Sequence, residues 1–235
     1  MIRIDKYLAD MGVASRKEIK QIVRSGRVKR NGVPVTAPEF KVDPEQDIIS
    51  LDDVPFQYSR FRYFAMDKPT GVLTASTDKK QKTVLDLLPE ELKHLDLFPV
   101  GRLDKDTSGL LLLTNDGEFA HKVISPRYEI EKKYFAVTEG IPTAQDAEQF
   151  REGIVLRDGL HCLPAELELT GENCCFVTVR EGKYHQVRRM LAAVGKPVTE
   201  LRRLSIGALQ IENLDFTENV CELSQQMLAL VFESK

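Results

Sequence analysis

Apolar residues along this chain fall into a few clear registers. The run Leu110-Leu111-Leu112-Leu113 is continuous rather than alternating and follows a polar stretch bounded by Gly101 and Gly109. That order predicts a loop feeding a strand buried on both faces, ended by the turn residues Asn115-Asp116-Gly117. Strict alternation from Glu131 to Val137 predicts another strand, with Lys133, Phe135 and Val137 on one face and Tyr134 and Ala136 on the other. Residues 62 to 66 predict a third, closed by a turn at Asp67-Lys68-Pro69-Thr70-Gly71. Near the N-terminus, Asp5 can cap a short helix carrying Leu8 and Met11, which Gly12 ends. Ser15 and Glu18 then form a capping-box pattern for a second helix that buries Ile19, Ile22 and Val23. Asn31-Gly32 before Val33-Pro34-Val35 is a tight-hairpin signal, whereas residues 52 to 60 lose periodicity and read as a linker. Further helices are predicted from Glu118 to Ile124 and from near Tyr184 to Gly195, the latter following an alternating strand that ends at Gly182.

With 235 residues and 42% hydrophobic content, the chain can bury one large core or a small domain joined to a larger one. The net charge of -3 excludes a protein that is basic throughout, so any surface for a polyanion has to be local. Charge is indeed concentrated at the start, where residues 1 to 30 carry nine cations against Asp5, Asp10 and Glu18. Arg16, Lys20 and Arg24 recur every four residues, which aligns them along one helix stripe able to track phosphates. No apolar stretch approaches the roughly 18 residues a membrane span needs. The first residues also lack a signal peptide's hydrophobic segment, so a cytoplasmic location and no membrane partner are expected. Cys162, Cys174, Cys175 and Cys221 have no paired spacing and read as free thiols; the four histidines are scattered, so no metal is expected.

Candidate chemistry gathers in two places. The loop before the leucine run holds Arg102, Asp104, Lys105 and Asp106, a fixed carboxylate beside cations. On composition alone it reads first as a polar turn whose charges pair with one another. Lys183, His185, Gln186 and Arg188 cluster where the last predicted helix begins, a position suited to anions.

The stretch Pro99-Val100-Gly101-Arg102-Leu103-Asp104-Lys105-Asp106-Thr107-Ser108-Gly109 resembles the central motif of the ribosomal small-subunit pseudouridine synthase family. Lys68-Pro69-Thr70-Gly71 resembles its first motif, although Asp67 stands where the family normally has Asn. Lys133-Tyr134 resembles its second, Gly182-Lys183-Tyr184-His185-Gln186-Val187-Arg188-Arg189 its last, and Leu201-Arg202-Arg203 with Ile206-Gly207 continues the pattern. Near residues 218 to 222 the family's usual glycine, aromatic and arginine are missing. Residues 1 to 50 resemble an S-four RNA-binding domain, through Arg3-Ile4-Asp5-Lys6-Tyr7-Leu8, Ser15-Arg16 and Gly26-Arg27-Val28.

The resemblance implies an α+β protein. An S-four-type domain and linker would occupy residues 1–55, and a mixed, largely antiparallel-sheet catalytic domain residues 56–235. It also implies conversion of a uridine in 16S rRNA to pseudouridine on a flipped-out base, without cofactor. Asp104 would carry the reaction, Tyr134 would stack on the base and Arg188 would pair with Asp104. Arg3, Lys6, Arg16, Lys20, Arg24, Arg27, Arg102, Lys183, His185, Gln186 and Arg189 are the candidate RNA contacts. The partner expected is ribosomal RNA or a small-subunit assembly particle, bound by a monomer. Large-subunit 23S rRNA or tRNA as substrate, and a non-catalytic RNA-binding assembly protein, remain the alternatives. A glycosidase would need a second carboxylate, for which Asp106 is available.

Overall fold

In the computed structural model, which describes residues 1–233, the chain divides into two units, each with its own apolar core. The first comprises Met1–Arg62 together with Leu88–Leu97. It opens with β1 (Ile2–Arg3), α1 (Ile4–Asp10) and α2 (Arg16–Arg24), followed by β2 (Val28–Arg30), β3 (Val33–Pro34), β4 (Lys41–Val42), β5 (Ile49–Leu51) and β6 (Val54–Phe56). Ile4, Tyr7, Leu8, Ile19, Val23, Val28 and Ile49 form the core between the helices and the sheet β3-β2-β5-β6. The Ser15–Glu18 capping box is present, whereas Ile22 is only half-buried.

Two local expectations change. Asp5 does not cap α1: pairing of β1 with β4 takes the chain through Arg3, the helix starts at Ile4, and Asp5 falls in its first turn beside Arg3. Residues 52 to 60 are not wholly a linker. Asp52 (φ 48°) and Asp53 (φ 67°) both adopt left-handed backbone, as Asn31 and Gly32 do in the expected hairpin, and so close a second two-residue hairpin onto β6. A short 3-10 helix, Glu90–Leu95, comes from the middle of the chain and packs against α1. Gly12 makes room for it, since a Cβ there would lie 2.7 Å from Leu95 Cδ2.

The second unit holds Tyr63–Leu87 and the chain from Phe98 onward. Its elements are β7 (Tyr63–Lys68), β8 (Phe98–Val100), β9 (Thr107–Thr114), α3 (Gly117–Ile124), β10 (Lys132–Thr138), α4 (Ala144–Glu152), β11 (Glu166–Leu169) and β12 (Cys174–Val179). After them come α5 (Gln186–Ala193), β13 (Val198–Ile206), β14 (Leu209–Gln210), β15 (Val220–Glu222) and α6 (Gln225–Leu230). Nine strands form one mixed sheet in the order β11-β12-β10-β13-β9-β7-β15, with β8 on β9 and β14 on β13. Neighbours run antiparallel except β13 and β9, which are parallel.

The leucine run explains the centre of this sheet. Leu110 to Leu113 are buried on both faces, and Leu110 and Leu112 join a core with Phe119 and Val123 of α3. A separate core packs Phe150 of α4 and Met190 of α5 on Ala136, Cys175 and Val177. Asp116 caps α3 through the N–H groups of Glu118 (3.0 Å) and Phe119 (3.2 Å) and accepts the Tyr63 hydroxyl (2.7 Å). Two boundaries differ from expectation. β7 continues to Lys68 because it pairs with β9 as far as Lys68–Gly109, leaving the turn to begin at Pro69. α5 starts at Gln186, since the left-handed backbone of His185 (φ 49°) forbids an earlier helical turn.

Candidate active site

Asp104 lies in the loop between β8 and β9, and the chain invests heavily in fixing that loop. Lys68, fully buried at the end of β7, donates to the carbonyl oxygens of Pro69 (2.9 Å), Asp104 (3.2 Å), Lys105 (3.3 Å) and Thr107 (2.9 Å). Burial pulls the Lys68 pKa down to about 8, opposed by the nearby Asp104 and Asp106 carboxylates. Thr74 adds a two-way clamp: its hydroxyl donates to Leu103 O (2.7 Å) and accepts from Leu103 N (3.2 Å). Gly71 N donates to Lys105 O at 2.8 Å. The Lys-Pro-x-Gly segment is thus a cradle for the aspartate loop.

The parallel pairing of β13 with β9 brings the end of α5 to the same loop. It depends on Gly109 (φ 101°), where a Cβ would lie 2.2 Å from Arg203 O. His185 Nε2 stands 3.3 Å from one Asp104 oxygen and Arg188 Nε 4.0 Å from the other. Arg188 is itself held by the carbonyls of Asp106 (3.0 Å) and Val198 (3.3 Å). The Asp104 side chain stays 30% exposed, facing a cleft of about 320 Å³ that Arg102, Lys132, Tyr134, Tyr184, His185 and Arg203 also line. A partly open carboxylate, two tyrosine rings and several cationic or titratable groups therefore share one cavity.

The structure separates the remaining sequence-nominated residues. Arg102 is exposed and lines the cleft. Gln186 points inward instead: it is buried, donates to Glu181 Oε1 (2.9 Å) and accepts from Lys183 N (3.0 Å). Lys183 pairs with Glu181 (2.7 Å) and Arg189 with Asp158 (2.5 Å), so both are engaged within the chain. In the first unit, Arg3 pairs with Asp5, Lys6 with Asp10, Arg16 with Asp96 and Arg27 with Asp52. Lys20 and Arg24 are exposed and have no ion pair among the described residues. Asp67 carries its own partner, accepting from Arg202 at 2.7 Å, so the Asn-to-Asp departure is matched by a cation.

Sequence reading missed Glu181, whose buried carboxylate takes Lys183, Gln186 and the Leu163 N–H (2.9 Å) and thereby shapes the cleft wall. It also gave no role to Lys68, Lys132 or Arg203. Cations spaced along strands look like surface decoration until the partner strands are known.

Comparison with known proteins gives this constellation its family. The model of the RNA pseudouridylate synthase family matches residues 62–193, and that of the S4 domain matches residues 2–48. A ribosomal small subunit pseudouridine synthase A of Vibrio cholerae is 40% identical over 90% of this chain and 91% of its own. A ribosomal large subunit pseudouridine synthase B of Bacillus subtilis is 38% identical over 91% and 89%. A solved pseudouridylate synthase is 31% identical with a TM-score of 0.67, covering 98% of this chain and 100% of that one. The chain belongs to the RNA pseudouridylate synthase family and carries an N-terminal S4 domain. It is an RNA pseudouridine synthase, an isomerase, built on a mixed α/β sheet. No helix among the described residues is long and apolar enough to cross a membrane.

Proposed function

We propose that this protein converts one uridine of small-subunit 16S rRNA to pseudouridine, with Asp104 as the catalytic carboxylate. The observation that carries the reading is the Asp104 carboxylate, partly open in a cleft it shares with Tyr134. The target base leaves its stack, enters the cleft and stacks on Tyr134. Asp104 acts on the ribose, either by attack at C1′ or by removing the C2′ proton, and neither route needs a redox cofactor. Arg188 and His185 orient the carboxylate. Arg102, exposed at the cleft, fills the vacated stack or holds a phosphate. The protein works as a cytoplasmic monomer on rRNA or a small-subunit assembly particle. Purified protein is expected to release tritium from 5-tritiated uridine in small-subunit RNA or particles, and none from large-subunit RNA or tRNA. The reverse preference would reassign the substrate.

Tyr134→Phe is expected to keep most of this activity and Tyr134→Ala to lose most of it, because base–aromatic stacking contributes roughly 1–3 kcal/mol and needs only the ring face. Equal damage from both, in single-turnover assays, would give the hydroxyl a chemical role.

The S4-type unit supplies affinity through Lys20 and Arg24, the two cations of its helix stripe without an ion pair among the described residues. Lys20→Gln with Arg24→Gln should weaken rRNA binding and lower the slope of log K against log salt by about two, one per phosphate contact. A slope unchanged in binding titrations at several salt concentrations would move the RNA to another face.

A further inference from the structure

Two cations in the cleft have no part in the reaction as described so far. Arg203 is 4% exposed and Lys132 9% exposed, and both line the cavity that holds Asp104 and Tyr134. Neither forms an ion pair with a described carboxylate. Lys132 donates to the carbonyls of Ile130 (2.7 Å) and Val123 (3.3 Å). Arg203 donates through Nε to Leu110 O (2.7 Å), but its Nη2 is buried with no hydrogen-bond partner among the described residues. Strand register puts Arg203 directly opposite Tyr134 on the β10–β13 ladder, and Lys132 two residues before Tyr134 on the same face. The two charges also feel each other: burial and the nearby Arg203 pull the Lys132 pKa down to about 8.

Burying two like charges costs free energy, against which the described residues set only three hydrogen bonds to carbonyls and leave the N–H groups of Arg203 Nη2 without an acceptor. A fold that keeps such groups beside its catalytic carboxylate is arranged for a ligand that arrives with an acceptor. A flipped uracil offers two, O2 and O4. The Thr107 hydroxyl, without a partner among the described residues, lines an adjoining cavity that shares Asp104 and Tyr134, a second buried polar group at the same place.

We propose that Arg203, backed by Lys132, binds an exocyclic oxygen of the flipped base and stabilises the uracil anion formed when the glycosidic bond breaks. The inference rests on the uridine-isomerising reading above. In that step the C1′–N1 bond breaks and its electron pair stays on the base, spread over N1, O2 and O4. The sugar is satisfied by a bond from Asp104 to C1′ or by loss of the C2′ proton to Asp104. That bond or proton is returned when C5 bonds to C1′; C5 then loses its proton and N1 gains one, so no oxidant or reductant is needed. Negative charge sits on the base only between these events. A fixed cation there favours the intermediate and its flanking transition states over bound uridine, which is the condition for raising the rate rather than the affinity.

The test uses the full-length protein and one rRNA substrate carrying either uridine or 5-fluorouridine at the target. Fluorine withdraws electrons and stabilises the departing anion without the protein's help. Arg203→Met is expected to slow turnover of uridine by about 100-fold, the scale of losing one charge-stabilising donor, while RNA affinity changes little. With 5-fluorouridine, followed as loss of the parent nucleoside after digestion, the deficit should shrink to less than about tenfold, and Arg203→Lys should restore part of the rate on uridine. Equal deficits on both bases, or a Met variant as active as wild type, would overturn the proposal. Where Arg203→Met fails to fold, by circular dichroism, the same comparison is made with Lys132→Met and Arg203→Lys. Inactive wild type on every RNA would instead remove the underlying function, which separates the two failures.

Discussion

Asp104→Asn should leave less than about one-thousandth of wild-type pseudouridine formation, a barrier increase of about 4 kcal/mol. An amide preserves size and hydrogen-bonding reach but can act neither as nucleophile nor as base. Fold and RNA binding should survive, because the Asp104 side chain is partly open and the backbone carbonyl that Lys68 holds is kept. Asp106→Asn is the matched control two residues along. Its side chain is exposed, and the group Arg188 uses is the Asp106 backbone carbonyl, which the substitution keeps. Tritium release from the Asp106 variant should therefore stay within about threefold of wild type. Equal collapse of both variants would remove Asp104 from its role.

Lys68→Met should be the most damaging change at a residue that never meets the RNA. It withdraws one donor from four carbonyls, two of them in the aspartate loop and one at the start of β9, and leaves polar groups at a buried site without a partner. Unmade buried hydrogen bonds of this kind cost about 1–3 kcal/mol, and a loop displaced by about 1 Å costs about 100-fold in rate. The expected variant has a lower urea midpoint and kcat reduced by about 100-fold, with RNA affinity near wild type. Full activity despite reduced stability would show that the loop holds its shape without the ammonium.

What was legible in the sequence was local. The leucine run, the Ser15–Glu18 box, the Asn31-Gly32 hairpin and the alternation of β10 each depend on neighbours within a turn or two, and the structure has all four. What escaped depends on distant partners. Lys68 looks like a turn residue until Gly109 is found opposite it, and Arg27 and Arg189 look free until Asp52 and Asp158 arrive from elsewhere in the chain. Gln186 is expected to face RNA from its place in the cluster at a helix N-terminus; the structure instead turns it inward to Glu181 after the left-handed backbone at His185. Leu95 could not be assigned to the N-terminal unit from spacing, since what fixes it there is the gap at Gly12. Asp104 is intermediate. Its loop was evident from glycines and polarity, but composition alone did not distinguish a catalytic carboxylate from one paired within a turn, and the family motif made the choice.

The most direct test is a pseudouridine map of ribosomal RNA from cells lacking this gene, complemented in turn with wild type and Asp104→Asn. One small-subunit position should lose its pseudouridine, regain it with wild type and stay unmodified with Asp104→Asn. A map unchanged by the deletion, or restored by Asp104→Asn, would contradict a uridine isomerase whose chemistry resides at Asp104.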